Sequence, residues 1–284
     1  MIRNAQYAGS FYSSNAEQLV ESIERCFNSS LGPQSLPLKD PVETDPHPFL
    51  LVPHAGYTYS GPVAAWSYFE LSKYPSPDTV VILGPNHTGL GSDIGVPNKI
   101  KTWKTPLGEI KVNQELIEGM LEQSILIERS DDSHAREHSI EVQLPFLQYV
   151  IGNDFDFLPI TLLNQSIDSS MMLGEIIAKV CEGKNVLVIA SSDFTHFESH
   201  DSATKKDNQI LEAIERMDTK TMYEIKYRLG VSMCGYGPIA GTMEVAKRTG
   251  RTRTKLLKYA TSGDSFGDKG SVVGYGAAAF YMKQ

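Results

Sequence analysis

Two histidines stand in turns of similar make-up. His54 lies in Pro53-His54-Ala55-Gly56-Tyr57-Thr58-Tyr59-Ser60-Gly61, and His87 in Gly84-Pro85-Asn86-His87-Thr88-Gly89. Each follows a short apolar run, and the nearby glycines let the backbone turn tightly and a ligand come close. Neutral imidazoles at the ends of neighbouring strands hold zinc, iron or copper, so the pair points to a metal site better than either member does. The alternative is two unrelated turn histidines held by packing.

A third apolar run ends in Ser191-Ser192-Asp193-Phe194-Thr195-His196. A carboxylate and an imidazole three residues apart in a turn suit proton transfer, with His196 moving the proton and Asp193 orienting it or holding its charged form. The plainer reading makes Asp193 a turn cap beside a solvated histidine. Cys234, in Ser232-Met233-Cys234-Gly235-Tyr236-Gly237-Pro238, precedes a helix that Pro238 can open, where backbone amides would favour a thiolate. Cys26 and Cys181 fall near the ends of amphipathic helices and read as buried, inert thiols.

A rival metal motif is His134-Ala135-Arg136-Glu137-His138, which matches the H-x-x-E-H pattern of inverted zinc peptidases and would make the chain a zinc hydrolase. Those enzymes need both histidines on one helix, whereas the amphipathic pattern here begins only at Ser139. No G-x-S-x-G elbow and no strand-to-helix G-x-G-x-x-G is present.

The elements that must position these residues follow from periodicity. Asn15 with Gln18 reads as a capping box, and Leu19, Ile23 and Phe27 continue a helix to near Asn28. Four prolines between 31 and 47 mark a loop. Strands are predicted at Phe49–Val52, Thr79–Leu83 and Asn185–Ala190, with late strands at Leu256–Thr261 and Val272–Phe280. Pro62 is expected to open a helix, and further helices are predicted over 139–150, 168–181, 203–215, 219–229 and 238–248. Strands separated by helices predict an α/β fold, one domain over 1–284, with a central mixed, mostly parallel sheet flanked by helices. Such folds bind ligands beyond the carboxyl ends of their strands, where all three loops stand.

Composition narrows the function classes. With 41% hydrophobic and 21% charged residues over 284 positions, the chain is an ordinary globular one, and no apolar run is long enough to cross a bilayer. A net charge of −8 offers no broad cationic face, so nucleic acid is not an expected partner, although Arg251, Arg253 and Lys255 cluster locally. Three cysteines form neither a disulfide framework nor a CxxC knuckle, which fits a reducing compartment. No signal peptide is evident, and a cytoplasmic location is expected.

Taken in order, AGSFY, PHAGYTYSG, GPNH, EHSIEVQLPF, SSDFTHF and MCGYGPI resemble the Memo family along nearly the whole chain. The resemblance implies an α/β fold related to the class III extradiol dioxygenases, with one mononuclear metal at the positions of His54, His87 and Cys234. Iron or copper is the implied metal, with zinc an alternative. Asp193 and His196 match further pocket positions, and Phe11, Tyr57 and His138 are candidate lining residues. Phe11 stands where the human-type branch carries tryptophan, so aromatic contact can persist while indole hydrogen bonding cannot.

The dioxygenase relatives use two histidines and a carboxylate on iron, and a thiolate in place of that carboxylate favours softer or retuned metals. The implied function is a metal-dependent redox enzyme acting on a small molecule. A module that binds a peptide or protein partner through the old pocket is the alternative. The family also implies a functional link to a radical SAM protein.

Overall fold

The computed structural model describes residues 1–283. Its strands are β1 (Ile2–Arg3), β2 (Phe49–Val52), β3 (Thr79–Pro85), β4 (Ile94–Val96), β5 (Thr102–Thr105), β6 (Gly108–Val112), β7 (Ile127–Arg129), β8 (Asp156–Leu162), β9 (Val186–Ser191), β10 (His196–Glu198), β11 (Arg253–Thr261) and β12 (Val272–Tyr281). Its helices are α1 (Ala16–Asn28), α2 (Tyr57–Leu71), α3 (Gln114–Gln123), α4 (Asp132–Ala135), α5 (Leu144–Ile151), α6 (Ile167–Val180), α7 (His200–Glu215), α8 (Thr219–Leu229), α9 (Tyr236–Arg248) and α10 (Ser262–Phe266).

The strands join in the order β1-β5-β6-β8-β3-β9-β2-β12-β10, with β11 on β12 and β4 bridging β7 and β8. The stretch β6-β8-β3-β9-β2 is parallel throughout, and β12 closes antiparallel on β2. This is the expected mixed α/β sheet flanked by helices. The apolar runs FLLV in β2 and VLVIA in β9 are fully buried because helices cover a parallel centre on both sides. Helix α2 packs on β2 and β12 together with α1 and α5, whereas α9 packs on β3 and β9 together with α6.

Register brings the three loops to one level. Leu51 of β2 and Leu83 of β3 both lie opposite Ala190 of β9. His54 then follows Leu51 by three residues, His87 follows Leu83 by four, and Asp193 follows Ala190 by three. All three therefore emerge at the carboxyl edge of the sheet.

Several boundaries differ from the sequence reading. Helix α2 begins at Tyr57, after Gly56 as N-cap, and carries Pro62 in its interior rather than at its start. A Cβ on the adjacent Gly61 would stand 2.4 Å from Cys26 Sγ, so glycine there is what lets α1 and α2 close together. Asn15 caps α1, accepting from Gln18 N at 2.9 Å, but the expected capping box is not closed, because Gln18 Oε1 accepts from Ser13 Oγ and Asn15 N donates to that same hydroxyl. The helix expected over 139–150 is a short 3-10 turn, Glu141–Gln143, running into α5. Strand β8 was not anticipated: Pro159 sits at its centre opposite Ile82, and an internal proline argues against a ladder strand in any reading by composition.

Candidate metal centre

His54 and His87 converge as their turns suggest, and a third imidazole joins them. The ligand nitrogens of His54, His87 and His138 all lie within 4.8 Å of one another. The ring of His138 stacks on His87 with centroids 4.5 Å apart, and His54 meets both edge-on at 5.2 and 5.3 Å. His54 is buried, while His87 is exposed and opens the cluster to solvent.

The hydrogen-bond network settles which nitrogen of each ring carries its proton. Ser191 Oγ donates to the carbonyl of Ser139 at 2.7 Å and accepts from Gln143 Nε2 at 2.8 Å. With its only proton committed, it can serve His54 Nδ1, 2.9 Å away, only as an acceptor. His54 therefore holds its proton on Nδ1 and presents a lone pair at Nε2. Glu137 does the same for His87: Oε1 takes Nδ1–H at 2.9 Å, and Oε2 accepts the His87 backbone N–H at 2.6 Å. A carboxylate behind a ligating histidine fixes the ring and raises its basicity, an arrangement common to metal sites.

Charge follows the same logic. Burial, then the neighbouring His87 and His138, holds the His54 pKa well below that of a free imidazole. Burial also lowers His138, to about 4. Both rings are thus neutral at physiological pH, the form in which an imidazole can bind a metal. Burial alone would raise Glu137, but the hydrogen bond and charge from His87 hold it down at about 2.

Cys234 enters through His54, its Sγ 3.1 Å from Nε2. The loop is pinned by Gln165, whose Nε2 donates to the Cys234 carbonyl at 2.8 Å and whose Oε1 accepts from Gly237 N at 2.9 Å. A Cβ on Gly235 would lie 2.3 Å from the Ser191 carbonyl, so only glycine lets this loop reach the end of β9. The expected thiolate does not follow from the helix start. Helix α9 begins at Tyr236, and burial, reinforced by Asp193, pushes the thiol pKa up instead.

Asp193 is buried and braces the loops: its Oδ1 accepts from His54 N at 2.8 Å, and its own N–H donates to Cys234 Sγ at 3.3 Å. Burial raises its carboxyl to about 7. His196 begins β10 with its backbone N–H donated to Ser232 Oγ at 2.8 Å, and its Nδ1 is buried without a hydrogen-bond partner. Phe11 and Tyr7 pack on the His138 ring at 4.8 and 5.5 Å. Tyr57 turns inward, donating its hydroxyl to the Val142 carbonyl at 2.7 Å and packing on Phe146, so its ring belongs to the core.

The H-x-x-E-H segment divides its residues between two tasks. Helix α4 ends at Ala135, so His134 and His138 do not share a helix. His134 is fully buried, donates Nε2–H to the Gly95 carbonyl at 3.1 Å and packs on Trp103. Only His138 faces the cluster, and Glu137 stands behind His87. The motif signalled that Glu137 and His138 matter, while its usual zinc-peptidase geometry is not formed.

The segment is held from the N-terminus. Arg3 donates to the carbonyls of His134 and Glu137 at 2.7 and 2.9 Å and pairs with buried Glu141 at 2.5 Å. Glu141 also accepts from Tyr12 Oη at 2.7 Å and from Tyr7 N at 2.8 Å, which sets Tyr7 and Phe11 beside His138. Among the described residues no helix is long and apolar enough to cross a membrane.

Comparison with known proteins agrees with the motif reading. Residues 3–279 match the family described as Memo-like protein. The chain is 46% identical over 286 positions to a MEMO1 family protein of Methanopyrus kandleri and 45% identical over 286 positions to one of Sulfolobus acidocaldarius, with 99% of each chain covered. Among solved structures, an uncharacterized protein of Escherichia coli K12 has the same fold, with a TM-score of 0.56 at 12% identity, covering 82% of this chain and 99% of that one.

Proposed function

The chain belongs to the Memo-like protein family, and on that premise we propose that it is a metal-dependent redox enzyme using iron or copper. His54 and His87 supply two nitrogen ligands, and His138 and Cys234 stand where further donors are needed. The observation that carries this reading is the pair of fixed tautomers, in which Ser191 and Glu137 hold the Nδ1 protons and leave both Nε2 lone pairs facing the cluster. No carboxylate shares the group of three nitrogens, so the donor set is softer than two histidines and a carboxylate and suits copper or retuned iron.

The metal, when bound, supplies redox equivalents and a Lewis-acidic position for a small substrate. The residues of the chain do the rest. Glu137 and Ser191 keep the two imidazoles oriented, and Asp193 fixes the backbone of His54. Phe11 and Tyr7 cover His138 and limit water on that side. His196, only half-buried at the start of β10, moves a proton to or from substrate. The test is elemental analysis of anaerobically purified protein together with oxygen uptake in the presence of a reductant. We expect one metal per chain and uptake that is lost in His87→Ala; a metal-free protein with full uptake would sink the proposal.

A second reading, docking of a peptide or protein partner over the same mouth, is favoured by one observation. Phe197, next to His196, is 79% exposed and held at φ +59°, a conformation that is strained for an aromatic residue. A partner that binds His87→Ala as well as wild type, with no oxygen uptake by either protein, would favour it.

A further inference from the structure

We propose that Ser139 is a positioning residue for the metal centre, tying the imidazoles of His54 and His87 into one hydrogen-bonded unit on the side away from the metal. Its use for metal binding rests on the reading of the cluster given above, while the unit itself is a property of the chain alone. Ser139 is fully buried, in the irregular stretch between α4 and the 3-10 turn at Glu141–Gln143, and directly follows His138.

Each polar group of Ser139 is committed to one of the histidine loops. Its carbonyl accepts from Ser191 Oγ at 2.7 Å, and that bond is what leaves Ser191 only lone pairs to offer His54 Nδ1. Its N–H donates at 2.8 Å to Glu137 Oε1, the oxygen that also takes His87 Nδ1–H at 2.9 Å. Its Oγ donates to the Pro85 carbonyl at 3.1 Å, two residues before His87. A continuous path of hydrogen bonds therefore runs from His54 through Ser191, Ser139 and Glu137 to His87, with every donor assigned. Ser191, Ser139 and Glu137 have no exposed surface, so water cannot replace a broken link.

The side chain is the part of Ser139 that fixes it to the sheet. Strand β3 lies between β8 and β9, so the Pro85 carbonyl is a rigid anchor. A Cβ on Gly84 would stand 2.4 Å from Ser139 Oγ and 2.8 Å from Ile140 Cγ1, and only glycine lets the segment come down on the strand. One contact with β3 thus sets both backbone bonds of Ser139, and through them both imidazoles. The consequence for a metal is direct. A His54 ring released from Ser191 can carry its proton on Nε2, facing Cys234 Sγ at 3.1 Å, and a protonated Nε2 has no lone pair to give.

The experiment records long-range proton–nitrogen correlations of the imidazoles in the whole chain, labelled at histidine and stripped of metal, and then titrates it with Zn²⁺. We expect His54 and His87 each to show a single Nδ1–H tautomer in wild type. Ser139→Ala should give both rings a second tautomer and weaken Zn²⁺ binding by about tenfold. His134, whose Nε2–H bonds the Gly95 carbonyl outside the path, should not change. Ser191→Ala should affect His54 alone. Gly84→Ala pushes Ser139 off β3 from the strand side and should act on both rings, which keeps the test decisive if Ser139→Ala does not fold. Mixed tautomers in wild type, a Ser139→Ala effect on one ring or on neither, an equal change at His134, or a His87 response to Ser191→Ala as large as that to Ser139→Ala would each overturn the proposal. Absence of Zn²⁺ binding by wild type, with the tautomers as expected, would overturn the metal reading and not the joining of the two rings.

Discussion

At the carboxyl ends of β2, β3 and β9, three imidazoles and a thiol turn electron pairs toward one another. At the amino ends of β2 and β9, a buried guanidinium lies among carbonyl and hydroxyl groups with no carboxylate on it. Both arrangements cost free energy through desolvation, and in opposite senses: one gathers donors of electron pairs and the other isolates a positive charge. Parallel sheets place ligands at their carboxyl ends by topology. The amino end has no such tendency, so its uncompensated charge arises from side chains alone. One sheet thus gathers lone pairs at one edge and isolates a cation, Arg251, at the other, on strands that run through from end to end.

The largest effect that would break this contrast is loss of the metal. His87→Ala should remove it altogether, an affinity drop of more than about 100-fold, while Arg251→Lys leaves it in place. Metal content by elemental analysis decides, and equal loss in both variants would mean that the two ends are not separate. Next comes Glu137→Gln, which keeps the size of the side chain but not the carboxylate that orients His87; metal affinity should fall about 10- to 100-fold in a protein that still unfolds cooperatively.

Cys234→Ser and His138→Gln sharpen the donor assignment. Each should weaken metal binding by about tenfold, and only the cysteine change should remove a sulfur charge-transfer band from the visible spectrum. A variant that changes neither property takes its residue out of the donor set.

The smallest effect belongs to the other end. His47 has a native pKa near 4, against about 6.5 in the unfolded chain. Between those values the unfolded state binds more protons, so stability is full above about pH 6.5 and falls as the pH drops toward 4. The loss attributable to His47 is about 1–3 kcal/mol, and His47→Phe should flatten that limb. Urea unfolding at the two ends of this window measures it; an unchanged slope would show that His47 is not held neutral.

Where an element announces itself locally, the sequence was informative. The apolar runs ending at Val52, Leu83 and Ala190 gave the central strands, and the loops after them gave His54, His87 and Asp193. Helix α1 could be read from Asn15 and its apolar spacing. The region from Ile94 to Arg129 was not legible, because β4, β5, β6 and β7 are three to five residues long and take their stability from neighbours distant in the chain. Glu137 and His138 were noticed inside a motif whose usual geometry this segment does not adopt. Their placement at the cluster depends on register between His87 and a turn fifty residues later. Arg251 and His47 are 204 positions apart, and only the folded sheet places the cation over Phe49 and beside the His47 carbonyl.

The Arg3–Glu141 pair has a consequence for the life of the protein. From the short strand β1, a single guanidinium secures the turn that carries Glu137 and His138. Removing the Arg3 guanidinium would leave the Glu141 carboxylate buried without its cation, at a cost of about 3–5 kcal/mol, borne by the turn and not by the central strands. The first part to loosen would be the histidine cluster rather than the sheet. The histidine cluster and the sheet can therefore be lost separately, and an ordered β1 is a practical marker of material fit for metal analysis.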